Sequence, residues 1–152
     1  MDTSFAAYLE RVRLHRAELG ESLSTLRTVL DGPDDERWCD RARAALAELR
    51  HDLDAHVEVT EAPDGLYDAI REDAARLAGP LAALQGEHPG LIELADVALA
   101  ALDGEPGRAD SIGDRAAVRG QVQALVIQLT HHHERGAELM HEAYAVDLGG
   151  DG

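Results

Sequence analysis

The chain has 152 residues, enough to bury a substantial hydrophobic core in one domain (1–152) but too few for two full domains. Hydrophobic residues make up 45% of it and aromatic residues only 3%, so Leu, Ala and Val must build the core, which favours helices and excludes an all-β sandwich. The formal net charge of -16 disfavours binding to a nucleic-acid backbone or an anionic membrane, because both require cationic surface.

The compartment is predicted from cysteine usage and from the N-terminal sequence. Cys39 is the only cysteine, so no internal disulfide can form. The N-terminus lacks a basic segment followed by an apolar run, and no stretch approaches the roughly 18 consecutive apolar residues of a membrane span. These features together predict a cytoplasmic protein.

The first half of the chain carries two apolar stripes with helical spacing of about 100° per residue. The first predicts a helix that ends at the breaker 31–33, and the second a helix that starts near the acidic residues 34–36 and ends at 62–65. His15 lies within the first stripe and His56 within the second. Each of these helices therefore presents an imidazole on its apolar face.

The next segment is predicted to contain a short helix and a long one. Because Gly79-Pro80 interrupts the pattern, we expect a short helix from Leu66 to about Ala78 and a main helix from Pro80. His88 lies on the apolar stripe of that main helix. Pro89 follows it directly and removes an intrahelical hydrogen bond, which predicts a kink or a local break.

The last helix is predicted from Asp114 to Val146, after a loop at 103–107. His132 and His133 both lie within about 60° of the centre of its apolar face, His133 closer. The chain as a whole is thus predicted to be all-α, an up-down-up-down four-helix bundle with a short extra helix before the third main helix.

Helix rise predicts that four histidines lie at a similar level of such a bundle. At about 1.5 Å per residue, His15, His56, His88 and His133 lie roughly 15, 8, 12 and 20 Å from the same end. Burying four imidazoles together is costly unless they are hydrogen-bonded or bind a cation. This pattern favours a metal site over four unrelated core histidines.

Imidazoles and carboxylates without thiolates favour iron, manganese or zinc as the metal. Asp52, Glu61 and Glu87 flank the stripes, and each is a candidate for a metal ligand, a group that orients a ring nitrogen, or a solvated side chain. Glu61 is the strongest carboxylate candidate, and His132 is the alternative to its neighbour His133.

Most of the chain resembles the hemerythrin-like (HHE cation-binding) proteins, a four-helix bundle family that holds a non-haem, usually di-iron, centre between its helices. The resemblance rests on the inner His15 and on the segments 56–61, 84–88 and 131–134. It implies an iron site formed by His15, His56, Glu61, His88 and His133, with His132 as a further ligand, that interacts with dioxygen, peroxide or nitric oxide or handles iron or redox stress.

The chain departs from the family pattern on three helices. Thr60 stands at the first acidic position of the second helix, and Ile92 stands where the third helix often has another histidine. On the fourth helix, Glu138 stands where the pattern His-x-x-x-x-Asp has an aspartate after His133. The resemblance favours a di-iron centre, and the sequence leaves open a mononuclear iron or zinc site and a metal-free helical module that binds a protein partner or forms a homodimer.

Overall fold

The computed structural model describes residues 3–103 and 112–144, and every regular element in these ranges is helical. The prediction of an all-α chain with four long helices, and a short helix before the third of them, is confirmed. In chain order the elements are α1 (Thr3–Asp31), α2 (Trp38–Glu61), the short α3 (Leu66–Asp73), a 3-10 turn (Ala75–Leu77), α4 (Ala78–Leu102) and α5 (Ile112–Tyr144).

The four long helices enclose a common interior. Helix α1 packs against α2 and α5, and α4 packs against the same two helices, while α3 contacts α2 and α4. None of the described helices has an apolar stretch long enough to cross a membrane.

The interior consists of two apolar clusters with polar side chains between them. The larger cluster contains Leu53, Leu91 and Leu129, and the smaller contains Val59 and Leu84 together with residues of α3. On α2, α4 and α5, a buried histidine lies between the residues of the two clusters; these histidines are His56, His88 and His132.

The predicted ends of α1 and α2 are confirmed at 31–33 and 62–65, but the predicted start of α2 is wrong. The helix begins at Trp38, not at 34–36, because the preceding residues form a turn instead. In that turn the side-chain carboxylate of Asp35 accepts a hydrogen bond from the backbone N–H of Arg37 at 3.0 Å. The backbone carbonyl of Asp35 accepts one from the N–H of Trp38, also at 3.0 Å.

Neither proline near α4 interrupts it as predicted. The break between α3 and the main helix lies at Ala74, and Pro80 occupies the first turn of α4, where a backbone N–H has no partner within the helix. Pro89 lies inside the helix, which continues without a break to Leu102. Proline at position 89 has no backbone N–H to donate to the Gln85 carbonyl, yet α4 remains continuous where it packs against α2 and α5.

Helix α5 begins at Ile112, two residues before the predicted Asp114. Its predicted end at Val146 lies outside the described residues, as does most of the predicted loop 103–107.

Candidate metal centre

Three histidines from three helices meet in the polar layer between the two apolar clusters. His56 of α2, His88 of α4 and His132 of α5 are 4%, 1% and 2% exposed. One ring nitrogen of each lies within 4.8 Å of the other two, and the ring centroids are 4.9 to 5.4 Å apart. We call these three residues the histidine triad.

Two carboxylates fix the orientation of two triad rings. Nδ1 of His88 lies 2.5 Å from a carboxylate oxygen of Glu61, and Nδ1 of His132 lies 2.7 Å from a carboxylate oxygen of Glu87. Because an ionised carboxylate only accepts hydrogen bonds, Nδ1 carries the proton in both rings. These hydrogen bonds therefore direct the Nδ1–H of each ring to the carboxylate and leave Nε2 as the nitrogen that can bind a metal ion.

The three Nε2 atoms of the triad contact one another or a tyrosine. Nε2 of His56 lies 3.3 Å from Nε2 of His132, and Nε2 of His88 lies 3.3 Å from the hydroxyl of Tyr67. Nδ1 of His56 is buried and has no hydrogen-bond partner among the described residues. The polar groups of the triad are thus only partly satisfied by the chain itself.

Burial disfavours the protonated form of two triad rings, those of His56 and His132. It lowers the pKa of His56 well below its ordinary value, and the neighbouring His88 and His132 rings lower it further. Burial also lowers the pKa of His132, although the Glu87 carboxylate opposes this shift. Both rings are therefore unprotonated at neutral pH, as metal ligands must be.

Tyr67 is placed beside the triad by a contact from α1. The Tyr8 hydroxyl donates to the carbonyl of Val59 at the end of α2 and accepts the N–H of Leu66 at 2.6 Å. Gly65 permits this approach, because a Cβ there would lie 2.7 Å from the Tyr8 oxygen. These two hydrogen bonds of the Tyr8 hydroxyl, which we call the clamp, fix the start of α3, so that the Tyr67 side chain reaches His88. Tyr67 is 4% exposed, and its burial raises the pKa of its hydroxyl to about 12.

A small cavity of about 10 Å³ adjoins the triad, with room for about one water molecule. Its polar lining comes from His56, His132, Thr60, Tyr67 and Arg16, and apolar residues form the rest of the wall. Thr60, the residue at the position where the family pattern has a carboxylate, donates its hydroxyl to the carbonyl of His56 at 2.7 Å.

The structure brings some of the predicted ligands together and separates others. His56, His88 and His132 meet, while the Glu61 carboxylate orients His88. His15 and His133 are half-buried, and neither belongs to the group of nitrogens that meet in the triad.

The expectation that His133 faces the interior more closely than His132 is wrong. Nε2–H of His133 donates to the Arg16 carbonyl at 3.1 Å, so its ring faces α1. Whether any of the six predicted residues binds metal remains a prediction.

Sequence analysis missed two residues of this region, Arg16 and Tyr67. The inward position of Arg16 could have been predicted. Arg16 lies four residues after Val12 and three before Leu19, so its position belongs to the apolar stripe of α1. Tyr67 carried no comparable signal, because its contact with His88 depends on how α3 packs.

The donor set fits a transition-metal ion. Three nitrogens bound to zinc or a similar ion lie about 3.4 Å apart, and the pair of Nε2 atoms at 3.3 Å is already at that spacing. All three nitrogens lie within 4.8 Å of one another, so binding of one ion would draw the third closer to this pair. A scan against protein-family models and searches of curated proteins and solved structures return no match to this chain.

Proposed function

We propose that this chain is a hemerythrin-like metal-binding protein, an up-down-up-down bundle that holds a transition-metal ion between His56, His88 and His132. The observation that carries the proposal is that Glu61 and Glu87 hold Nδ1 of two buried imidazoles and leave their Nε2 atoms as donors. Three imidazoles grouped in this way are costly to bury in the absence of a cation.

The geometry favours one ion rather than two. A di-iron centre requires bridging carboxylates, but the two nearest carboxylates accept hydrogen bonds from the triad, and Thr60 stands at the position of a further one. Nitrogen donors suit iron and zinc alike. We propose mononuclear non-haem iron, because the sequence resembles an iron-binding family, with zinc as the alternative.

The proposed role is binding of a small ligand rather than turnover. Iron with an open position supplies affinity for dioxygen, peroxide or nitric oxide. The chain itself provides a small cavity beside the triad, the Tyr67 hydroxyl at its edge, and an apolar wall that limits the entry of water. These features would select ligands of few atoms.

The test is metal content and its effect on stability. Tag-free protein purified without added metal should contain about one metal ion per chain. Metal at about 100 times its Kd should stabilise the fold by about 2.7 kcal/mol, which raises the Tm by about 5 to 10 °C relative to chelator-treated protein.

Two adjacent histidines provide a matched pair of variants. His132→Ala should lose the metal and the Tm shift, while His131→Ala, which replaces an exposed histidine on the same helix, should keep both. No stoichiometric metal after anaerobic ferrous reconstitution, or equal Tm values with and without chelator, would contradict the proposal.

One observation favours a metal-free module as the second candidate. The triad makes hydrogen bonds without any ion, between His56 and His132 and between Tyr67 and His88. In that case the rings are core polar groups, and the chain would act through a protein partner or as a homodimer. A Tm that is independent of metal and chelator would favour this candidate.

A further inference from the structure

A cationic side chain lies beside the triad without an anionic partner. Arg16 of α1 is half-buried, and it forms no ion pair with any carboxylate in residues 3–103 and 112–144. One guanidinium nitrogen donates to the carbonyl of His133 at 3.2 Å. Burial lowers the pKa of Arg16, which reflects the cost of withdrawing this charge from water.

Arg16 adds a positive charge beside the triad with which no carboxylate of the described residues pairs. Its side chain and two triad rings, His56 and His132, line the same cavity. Glu61 and Glu87 contact the Nδ1 atoms of His88 and His132, so they would offset the charge of a metal ion from that side of the rings and form no ion pair with Arg16. An anion in the cavity would be attracted both to Arg16 and to a metal ion in the triad, because charges interact more strongly in a partly buried region than in water.

We propose that the cavity binds a small monoanion of about the size of a water molecule, with Arg16 as its charge partner; this inference rests on the metal site proposed above. The size follows from the cavity volume of about 10 Å³, which holds about one water molecule. The Tyr67 hydroxyl and the Thr60 side chain, which line the same cavity, offer further polar contacts.

Two features of α5 hold Arg16 in place. His133 donates to the Arg16 carbonyl at 3.1 Å, and Arg16 donates back to the His133 carbonyl, so the two residues form a reciprocal pair. Gly136 leaves space for the guanidinium, because a Cβ there would lie 3.0 Å from Nη1. His133 and Gly136 are thus positioning residues for the cation.

The experiment uses protein loaded with Co(II), whose paramagnetism broadens the ¹⁹F signal of bound fluoride. Fluoride is a monoanion of about the size of water, and its Kd is measured from ¹⁹F relaxation in a titration. Arg16→Met should weaken fluoride binding by about 10- to 100-fold, because it removes charge-assisted hydrogen bonds in a partly buried site.

Two further variants separate charge from structure. Arg16→Lys should restore part of the affinity. Arg13→Met, which removes an exposed arginine of the same helix, should leave it unchanged.

The outcomes distinguish this inference from the function on which it rests. A chain that takes up no cobalt would overturn both. Stoichiometric cobalt with equal fluoride affinity in wild type and Arg16→Met would overturn the anion site alone. If Arg16→Met itself fails to take up cobalt, Arg16→Gln, which keeps a polar side chain but removes the charge, decides: reduced fluoride affinity at full cobalt loading supports the anion site, and unchanged affinity contradicts it.

Discussion

Replacing Glu87 by Gln should weaken metal binding while leaving the chain folded. The Glu87 carboxylate accepts the Nδ1–H of His132 at 2.7 Å, which fixes the ring and makes its Nε2 more basic. Glutamine has nearly the same shape and can still accept a hydrogen bond, but it has no charge. The variant therefore tests the electrostatic contribution of the carboxylate.

The expected magnitude follows from the exposure of the groups involved. Loss of a carboxylate that orients a metal-binding histidine typically lowers affinity about 10- to 100-fold, or about 1.4 to 2.7 kcal/mol. Glu87 also pairs with Arg135 at 2.5 Å, but the Arg135 side chain is 51% exposed. Loss of that pair should lower the stability of the metal-free chain by no more than about 1 kcal/mol.

The assay is competition for zinc between the protein and a fluorescent chelator. Glu93→Gln is the control. Glu93 is exposed on the same helix, and its substitution removes the same charge outside the triad. We expect zinc affinity to fall in Glu87→Gln and to stay unchanged in Glu93→Gln. Wild-type affinity in Glu87→Gln would refute the reasoning, and equal losses in both variants would show that only overall charge matters.

Three further predictions concern the surroundings of the triad. Tyr67→Phe should raise zinc affinity about 2- to 10-fold, because the hydroxyl competes for the Nε2 lone pair of His88; a loss measured in the same competition assay would instead make the tyrosine a contributor to metal binding. The pKa values of His56 and His132 are lowered in the folded chain, so below pH 6.5 the unfolded metal-free chain binds more protons than the folded one. The contribution of each ring to stability is therefore present above pH 6.5 and is lost as the pH falls. The free energy of unfolding should decrease by up to about 1.4 kcal/mol per pH unit for each ring. Urea midpoints between pH 7 and 5 should therefore fall less steeply in His56→Leu than in wild type, and equal slopes would argue against the shift. Gly65→Ala should lower stability by about 1 to 3 kcal/mol in the same measurement, because its Cβ would lie 2.7 Å from a hydroxyl and a carbonyl oxygen; an unchanged midpoint would mean that the clamp yields easily.

Local sequence signals determined the helices and most of their ends. Apolar spacing of about 100° identifies four long amphipathic segments, and Gly and Pro separate them, because both effects operate within a few residues. The prolines were a poorer guide to the ends of the helices. Pro80 lies in the first turn of α4, which proline tolerates, whereas Pro89 lies inside the helix, where it would by itself favour a kink or a break.

The presence of inward histidines on α2 and α4 was also predictable, since His56 and His88 lie on clear apolar stripes. Only the tertiary structure decided between His132 and His133. Adjacent helical residues differ by about 100°, and both were close to the predicted stripe, so the rotation of α5 against its neighbours determines which ring enters the interior.

The partners of the rings were equally inaccessible to the sequence. Glu61 and Glu87 contact histidines on other helices. Arg16, rather than the predicted His15, is the α1 residue that lines the cavity beside the triad. Tyr67 contacts His88 from the short helix α3. Helical periodicity fixes the direction of a side chain relative to its own helix alone. Contacts between helices depend also on their relative rotation, height and crossing angle, and packing of the whole core sets these quantities.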